Sequence, residues 1–342
     1  MTKNDYFCRK KEGHEFIYSC RYSCRIARVE SYSHPHAAGS CFTTHMGNRL
    51  SAAKFQSDTN PYGVLYNPLS IAVALQQILE GKRYQASDLF FHGGCWHSAW
   101  HHGDFSSSTT EETLLRINTR LERASAASER LDGLLLTFGT AWVYENKDTG
   151  QIVGNCHKLP ERCFHRRMLS VDEIVAVYDT LLDAWWKKRP GLKVLFTVSP
   201  IRHIRDGLHA NQLSKATLLL AVEVLQRRYP QQVSYFPAYE MLVDELRDYR
   251  FYAADMVHPS EVAVDWVWER WSQAVFSSET REVIKACDEI RKMIDHKPFH
   301  PQSEEYKRFL GQIVLKIERL NKKYPYLDFE KEIEICHTRL NI

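Results

Sequence analysis

Residues 132–145 read DGLLLTFGTAWVYE, and the fold class turns on them. The run from Leu134 to Phe138 is apolar without alternation, too short for a helix, and stops at Gly139-Thr140. That is the signature of a strand covered on both faces, as in a parallel sheet. Upstream, SIAVALQQILEG (70–81) has apolar residues at helical spacing and ends on a glycine, and EETLLRINTRLERASAASERL (111–131) is a second amphipathic helix. Downstream, the helix VDEIVAVYDTLLDAWWKKRPG (171–191) closes on Pro-Gly and feeds a second strand, LKVLFTVSP (192–200). The helix LSKATLLLAVEVLQRRYP (213–230) then leads to a third strand, VSYFPAYEML (233–242). Strands alternating with helices predict an α/β fold, a parallel sheet with helices on both faces. Ligands of such sheets bind beyond the carboxyl ends of the strands, so residues just after Phe138, Val198 and Phe236 are expected to line one crevice.

After about Ser277 the strand signals stop, and SETREVIKACDEIRKMI, SEEYKRFLGQIVLKIERLNKKY and DFEKEIEICHTRL read as two or three packed helices. Residues 1–36 show no apolar period. The expected organisation is an irregular segment (1–36), an α/β domain (37–276) and a helical C-terminal extension (277–342). The net charge of +3 over 342 residues argues against nucleic acid or an anionic membrane as partner. No stretch approaches 18 apolar residues, and the N-terminus lacks the apolar region of a secretion signal. Nine scattered cysteines fit free thiols in a reducing compartment, with the cytoplasm as the expected location.

Chemistry is suggested by AAGSCFTTHMGNRL (37–50), where Ser40 stands between a glycine and a cysteine before a helix. Ser40 reads either as a nucleophile or as a helix cap. Far downstream, in YRFYAADMVHPSEVAVDWVWERW (249–271), Asp255 and His258 are three residues apart on a turn before a helix. A carboxylate there holds the imidazole's tautomer while the other ring nitrogen takes a proton from a serine. Cys41 reads as a small buried hydrophobe.

With these residues the chain resembles the SGNH hydrolase superfamily, and more closely the GSCFA family, through GSCFT (39–43), NPYGVLYNPLSIAVAL (60–75), WHSAWHHGDFSS (96–107), LTFGTAWVYE (136–145), NCHKLP (155–160), FTVSPIRHIRDGLHANQLSKATLLLA (196–221) and YFPAYEMLVDELRDYRFYAADMVHPS (235–260). The resemblance covers roughly residues 39–275. It implies a flavodoxin-like three-layer SGNH fold and a serine esterase or acyltransferase without a cofactor, with Ser40 as nucleophile, His258 as base and Asp255 as its orienting group. The implied substrate is a small-molecule or carbohydrate ester. The resemblance also implies an oxyanion hole, with Gly63 as the matching glycine.

Two departures stand out. Ala141 of GTAW occupies the place of the superfamily's oxyanion asparagine, which leaves Thr140, Asn60 or Asn67 as substitute donors. VESYSHPHAA puts a proline and two histidines where an apolar first strand is expected: either that strand is degraded, or residues 1–36 are not the family's usual N-terminus. Both favour an alternative function, a non-catalytic ligand-binding or interaction protein on the same fold. His97 and His101 are spaced i, i+4, but no cysteine or acidic partner follows at a diagnostic distance. The sequence therefore predicts no metal site, and WHSAWHHGDF reads as a substrate-contacting loop offering His101 and His102. Arg202 and His203, just after the second strand, are the candidates to bind an anionic group, unless Arg202 pairs with Asp206 or the DELRDYR segment. The tryptophans Trp266, Trp268 and Trp271 read as core.

Overall fold

The computed structural model describes residues 33–340. The central sheet is built from β1 (Pro35–Gly39), β2 (Asp58–Thr59), β5 (Gly133–Phe138), β9 (Lys193–Val198) and β10 (Val233–Tyr235). Smaller pieces are the β3 (Leu89–His92) and β4 (Cys95–Ser98) hairpin and the antiparallel β6 (Trp142–Asn146), β7 (Ile152–Val153) and β8 (Phe164–Met168). The helices are α1 (Cys41–Ala52), α2 (Pro68–Glu80), α3 (Thr110–Ser128), α4 (Val171–Lys188), α5 (Gly207–Arg228), α6 (Ala238–Glu240), α7 (Glu261–Val275), α8 (Ser278–Asp295), α9 (Glu304–Lys323) and α10 (Glu330–Leu340). Among the described residues no helix is long and apolar enough to cross a membrane.

All strands of the central sheet run parallel, in the order β10-β9-β5-β1-β2. Numbered within the sheet this is 2-1-3-4-5, the doubly wound order whose chain reversal lies between the first and third strands. Alternation along β5 divides the core. Leu134, Leu136 and Phe138 face α2 to α5, and Leu135 faces α1 and α7. The protein is thus a three-layer α/β fold. A separate apolar core, with Ile290, Leu310, Ile313 and Ile317 fully buried, joins α8, α9 and α10.

The first strand is formed, so the expectation that it is degraded does not hold. All five residues of β1 are buried, and it pairs with both β5 and β2. Pro35 is tolerated because it opens the strand, where its missing N–H removes no interior ladder bond. The polar His36 is accommodated by Asp58 at 3.9 Å, itself gripped by Arg120, and burial lowers the His36 pKa. At its end Gly39 has φ +147°, and a Cβ there would lie 2.3 Å from the Thr137 carbonyl oxygen, so only glycine lets β1 run this close to β5.

Three elements differ from expectation. β10 stops at Tyr235, because Pro237 turns the chain into α6 and the π-turn that follows it. Helix α5 begins at Gly207, six residues before Leu213. The stretch after Gly139-Thr140 starts the separate β6-β7-β8 sheet, which the sequence did not announce. Of the tryptophans of α7, only Trp271 is core, buried against Phe276; Trp268 beside it is half-buried, and so is Trp266, which carries Arg270 over its ring.

Candidate active site

The loop from Tyr252 to Pro259 is drawn closed by a bridge between these two residues, and Met256 takes a left-handed φ of +59°. That sharp turn folds the chain back so that Asp255 meets His258. One carboxylate oxygen of Asp255 accepts the backbone N–H of Val257 (2.9 Å) and of His258 (3.0 Å), and the other faces His258 Nδ1 at 2.6 Å. These backbone and imidazole bonds hold the Asp255 pKa down at about 2, so it stays ionised at neutral pH. An ionised carboxylate on Nδ1 selects the tautomer with its proton there and leaves Nε2 as an acceptor, the form a general base needs.

His258 opens onto a crevice of about 450 Å³ at the carboxyl ends of the strands, shared with Cys41, Tyr66, Thr140, Trp142 and His203. A larger cleft of about 560 Å³ at the amino ends of β1 and β2 holds His36 and Asp58, but these stand 3.9 Å apart without a hydrogen bond and the imidazole is buried. Segments following β1, β5 and β9 line the crevice as expected, but the residues just after Phe236 do not, because the chain there turns away into α6 and returns to the crevice only at Val257 and His258.

Ser40 stands at the N-cap of α1 but does not cap it. Its hydroxyl is fully buried and has no hydrogen-bond partner, and it is not bonded to His258. Cys41, expected to be a buried hydrophobe, is instead half-buried and lines the crevice, its Sγ 3.7 Å from the Tyr66 hydroxyl.

The candidate oxyanion donors are engaged elsewhere. Gly63 donates its N–H to the Asn60 carbonyl, and its φ of +77° and close contact with His102 explain why it is glycine. Asn60 accepts the Gly39 N–H and donates to Thr44. Asn67 caps α2 and donates to the Ser70 hydroxyl. The Thr140 hydroxyl pairs with Ser214. Of these four, only Asn67 and Thr140 border the crevice.

His101 and His102 are not brought to the crevice. The segment WHSAWHHGDF is largely the β4 strand and its following turn, set by the Gly93-Gly94 turn of the hairpin. His101 is buried, stacked on Tyr62 at 4.3 Å and bonded to Ser98, and burial pushes its pKa down to about 3. His102 faces Asp104 at 2.9 Å. The segment supports the crevice from behind, since the Ala99 carbonyl accepts the N–H groups of Gly154 and Asn155, which do line it. Among the described residues no cluster of His, Cys, Asp and Glu is arranged to hold a metal.

Arg202 lines the crevice, but its guanidinium is not poised for an anion. It stacks on Tyr252 at 4.0 Å, donates to the Tyr252 hydroxyl (2.8 Å) and reaches the Met256 carbonyl (3.4 Å). It therefore braces the Asp255–His258 loop, neither pairing with Asp206 nor standing free. Asp206 is held by Arg166 instead.

Two features escaped the sequence reading. Lys215 of α5 is fully buried and donates to the Gly139 and Ser199 carbonyls, both at 2.7 Å, tying together the ends of β5 and β9. Burial brings its pKa down to about 7. The other is the β6–β8 sheet, which supplies Trp142, Tyr144 and Arg166 to the crevice wall. The only signal for Lys215 was its place, with Asn211 and Ser214, on the stripe of α5 that Leu218 continues.

The family model described as GSCFA family matches residues 36–271, and that described as GSCFA domain protein, C-terminal domain matches residues 287–342. No curated protein matches the chain. The chain belongs to the GSCFA family.

Proposed function

We propose that the crevice performs acyl transfer through Ser40, as an SGNH-type serine esterase or acyltransferase. The observation that carries this reading is the Asp255–His258 dyad, tautomer fixed, opening onto the same crevice as the start of α1, where the Ser40 hydroxyl is not used as a cap. In this reading His258 Nε2 takes the hydroxyl proton as Ser40 Oγ bonds to the ester carbonyl carbon. The imidazolium then gives that proton to the departing alcohol as the ester C–O bond breaks. Water or an acceptor hydroxyl reverses the sequence and releases the acyl group. Ser40 is buried and unbonded to His258, so in this reading substrate entry has to bring hydroxyl and imidazole together. The aromatic and cationic wall of Trp142, Tyr144 and Arg166 supports a small acyl ester on a carbohydrate-like molecule as substrate.

A second reading takes Cys41 as the nucleophile, favoured by its thiol facing the crevice where the Ser40 hydroxyl does not. Labelling of the purified protein with a fluorophosphonate probe separates the two. The serine reading expects labelling that Ser40→Ala abolishes and Cys41→Ala leaves. Turnover of p-nitrophenyl acetate that Cys41→Ala abolishes and Ser40→Ala leaves, with no fluorophosphonate label, would move the chemistry to the thiol. A folded wild-type protein that takes no label and turns over no ester would leave the crevice as a ligand-binding pocket without catalysis.

A further inference from the structure

Attack on an ester carbonyl develops negative charge on its oxygen, and donors aimed at that charge supply much of the rate. Ala141 has no donor to offer, and the side-chain and glycine donors considered above are already bonded within the fold. Two ring nitrogens of the crevice are buried without a partner, Trp142 Nε1 and His203 Nε2, and His203 is the one that closes on Gly139 at the end of β5. His203 follows β9, lines the crevice, and its Nε2 is buried without a hydrogen bond. We propose that His203 supplies the missing oxyanion donor through its Nε2–H, an assignment that rests on the serine reading of this crevice.

The placement fits that task. Nε2 lies 3.3 Å from the point where a Cβ on Gly139 would stand, so the ring occupies the end of β5, beside the Gly139-Thr140-Ala141 turn. Tyr66 meets the ring edge-on, with centroids 5.8 Å apart, and Tyr66 in turn touches Cys41, the neighbour of Ser40. The backbone N–H of His203 is anchored on the Asn211 side chain of α5 at 3.0 Å. A residue larger than glycine at 139 would press on the ring and on the Tyr66 carbonyl together. A ring held this way needs no reorganisation when charge develops.

Its neighbours keep it from acting as a second base. Burial first, then Lys215, Arg166 and His258, push its pKa down to about 4. At neutral pH the ring is uncharged, so it does not compete with His258 for the serine proton. A neutral imidazole polarises a carbonyl by hydrogen bonding alone.

The test measures Ser40-dependent hydrolysis of p-nitrophenyl acetate by wild type, His203→Phe and His203→Gln, with thermal melts of each. Loss of one oxyanion donor predicts a kcat about 10²–10³ lower in His203→Phe with KM little changed. His203→Gln, which restores a donor, should recover at least about tenfold of that loss. A ring that only filled space would be replaced by phenylalanine without this kcat effect and would gain nothing from glutamine. If His203→Phe fails to fold, His203→Ala takes its place in the comparison. Ser40-dependent turnover that survives in His203→Phe, or a change confined to KM, overturns the assignment and leaves the serine reading standing. Wild-type turnover that does not depend on Ser40 overturns both.

Discussion

Ser40 and Ser170 begin two helices from nearly the same backbone conformation, (φ, ψ) of (−69°, 177°) and (−82°, 163°), yet only Ser170 caps. Among the described helices, Asn67, Thr109, Ser170, Ser260, Ser277 and Ser303 each accept a backbone N–H from their own first turn. The polar N-cap residues that do not are Ser40 and Asp206. Asp206 lines the crevice and turns to Arg166, and Ser40, buried, precedes the crevice-lining Cys41. The backbone at Ser40 permits a cap, so the difference lies in where the side chain points. A buried hydroxyl without a partner costs about 1–3 kcal/mol, and a fold that caps elsewhere with the same residue type keeps this one uncapped, which is the cost the proposed nucleophile has to explain.

The comparison is sharpest in its largest expected effect. Ser40→Ala should lower ester turnover by about 10⁶-fold, the loss seen when an acylated serine is removed from a triad. It should leave stability unchanged or slightly raised, because it deletes an unsatisfied buried group. Turnover on p-nitrophenyl acetate beside a chemical denaturation curve reads both. A variant that retained turnover and lost about 1 kcal/mol would return Ser40 to the ordinary capping class.

Lys215 supplies the opposite case, a buried polar group whose partners are in place. Lys215→Met keeps the volume but leaves the Gly139 and Ser199 carbonyls without their donor, at a cost of about 3 kcal/mol in a denaturation midpoint. Both carbonyls end strands that carry crevice residues, so activity should fall along with stability. That joint loss is what Ser40→Ala is not expected to show.

The buried histidines give a smaller and graded effect. Burial holds His101 at about 3 and His157 at about 4, against about 6.5 in an unfolded chain. Between those values the unfolded state binds the extra protons, so stability is complete above about pH 6.5 and falls as pH drops through the window. Each such proton contributes a slope of up to about 1.4 kcal/mol per pH unit. Denaturation curves at a series of pH values should show the slope, and His101→Phe should remove about one proton from it. An unchanged slope in that variant would mean that His101 does not titrate on unfolding.

How legible these arrangements were in the sequence depended on how far apart their parts lie. The buried strand β5 announces itself by its unbroken apolar run, and helices α2 to α5 by their local apolar period. The Asp255–His258 pair is legible because three residues on one turn suffice to bring carboxylate and imidazole together. His101 was misplaced because its direction depends on a hairpin whose turn, at Gly93-Gly94, precedes it and aims the ring at Tyr62. Arg202 was misread because its partner Tyr252 is fifty residues downstream. The β6–β8 sheet was missed because WVYEN and FHRRM carry neither an apolar run nor a clean alternation. Ser40 remained double because capping and catalysis select the same residue at the same position, and only the side chain's direction separates them.

The smallest effect tests the other half of the comparison. Ser170 accepts the Glu173 N–H at 3.1 Å, and the Glu173 carboxylate returns to the Ser170 N–H at 2.8 Å. This reciprocal capping box satisfies two donors that the start of α4 would otherwise leave open. Ser170→Ala breaks one of the two bonds and should cost about 1 kcal/mol, read as a shift in the denaturation midpoint. Turnover should be unchanged, since Ser170 does not border the crevice. Thr is expected to restore the loss at position 170, because either hydroxyl serves a cap. At position 40 the same replacement should not restore turnover, because a methyl group added beside the fully buried hydroxyl has to displace its neighbours before it can be aimed at an ester. If Thr substitutes equally well at both positions, the distinction between a capping serine and a reacting one fails.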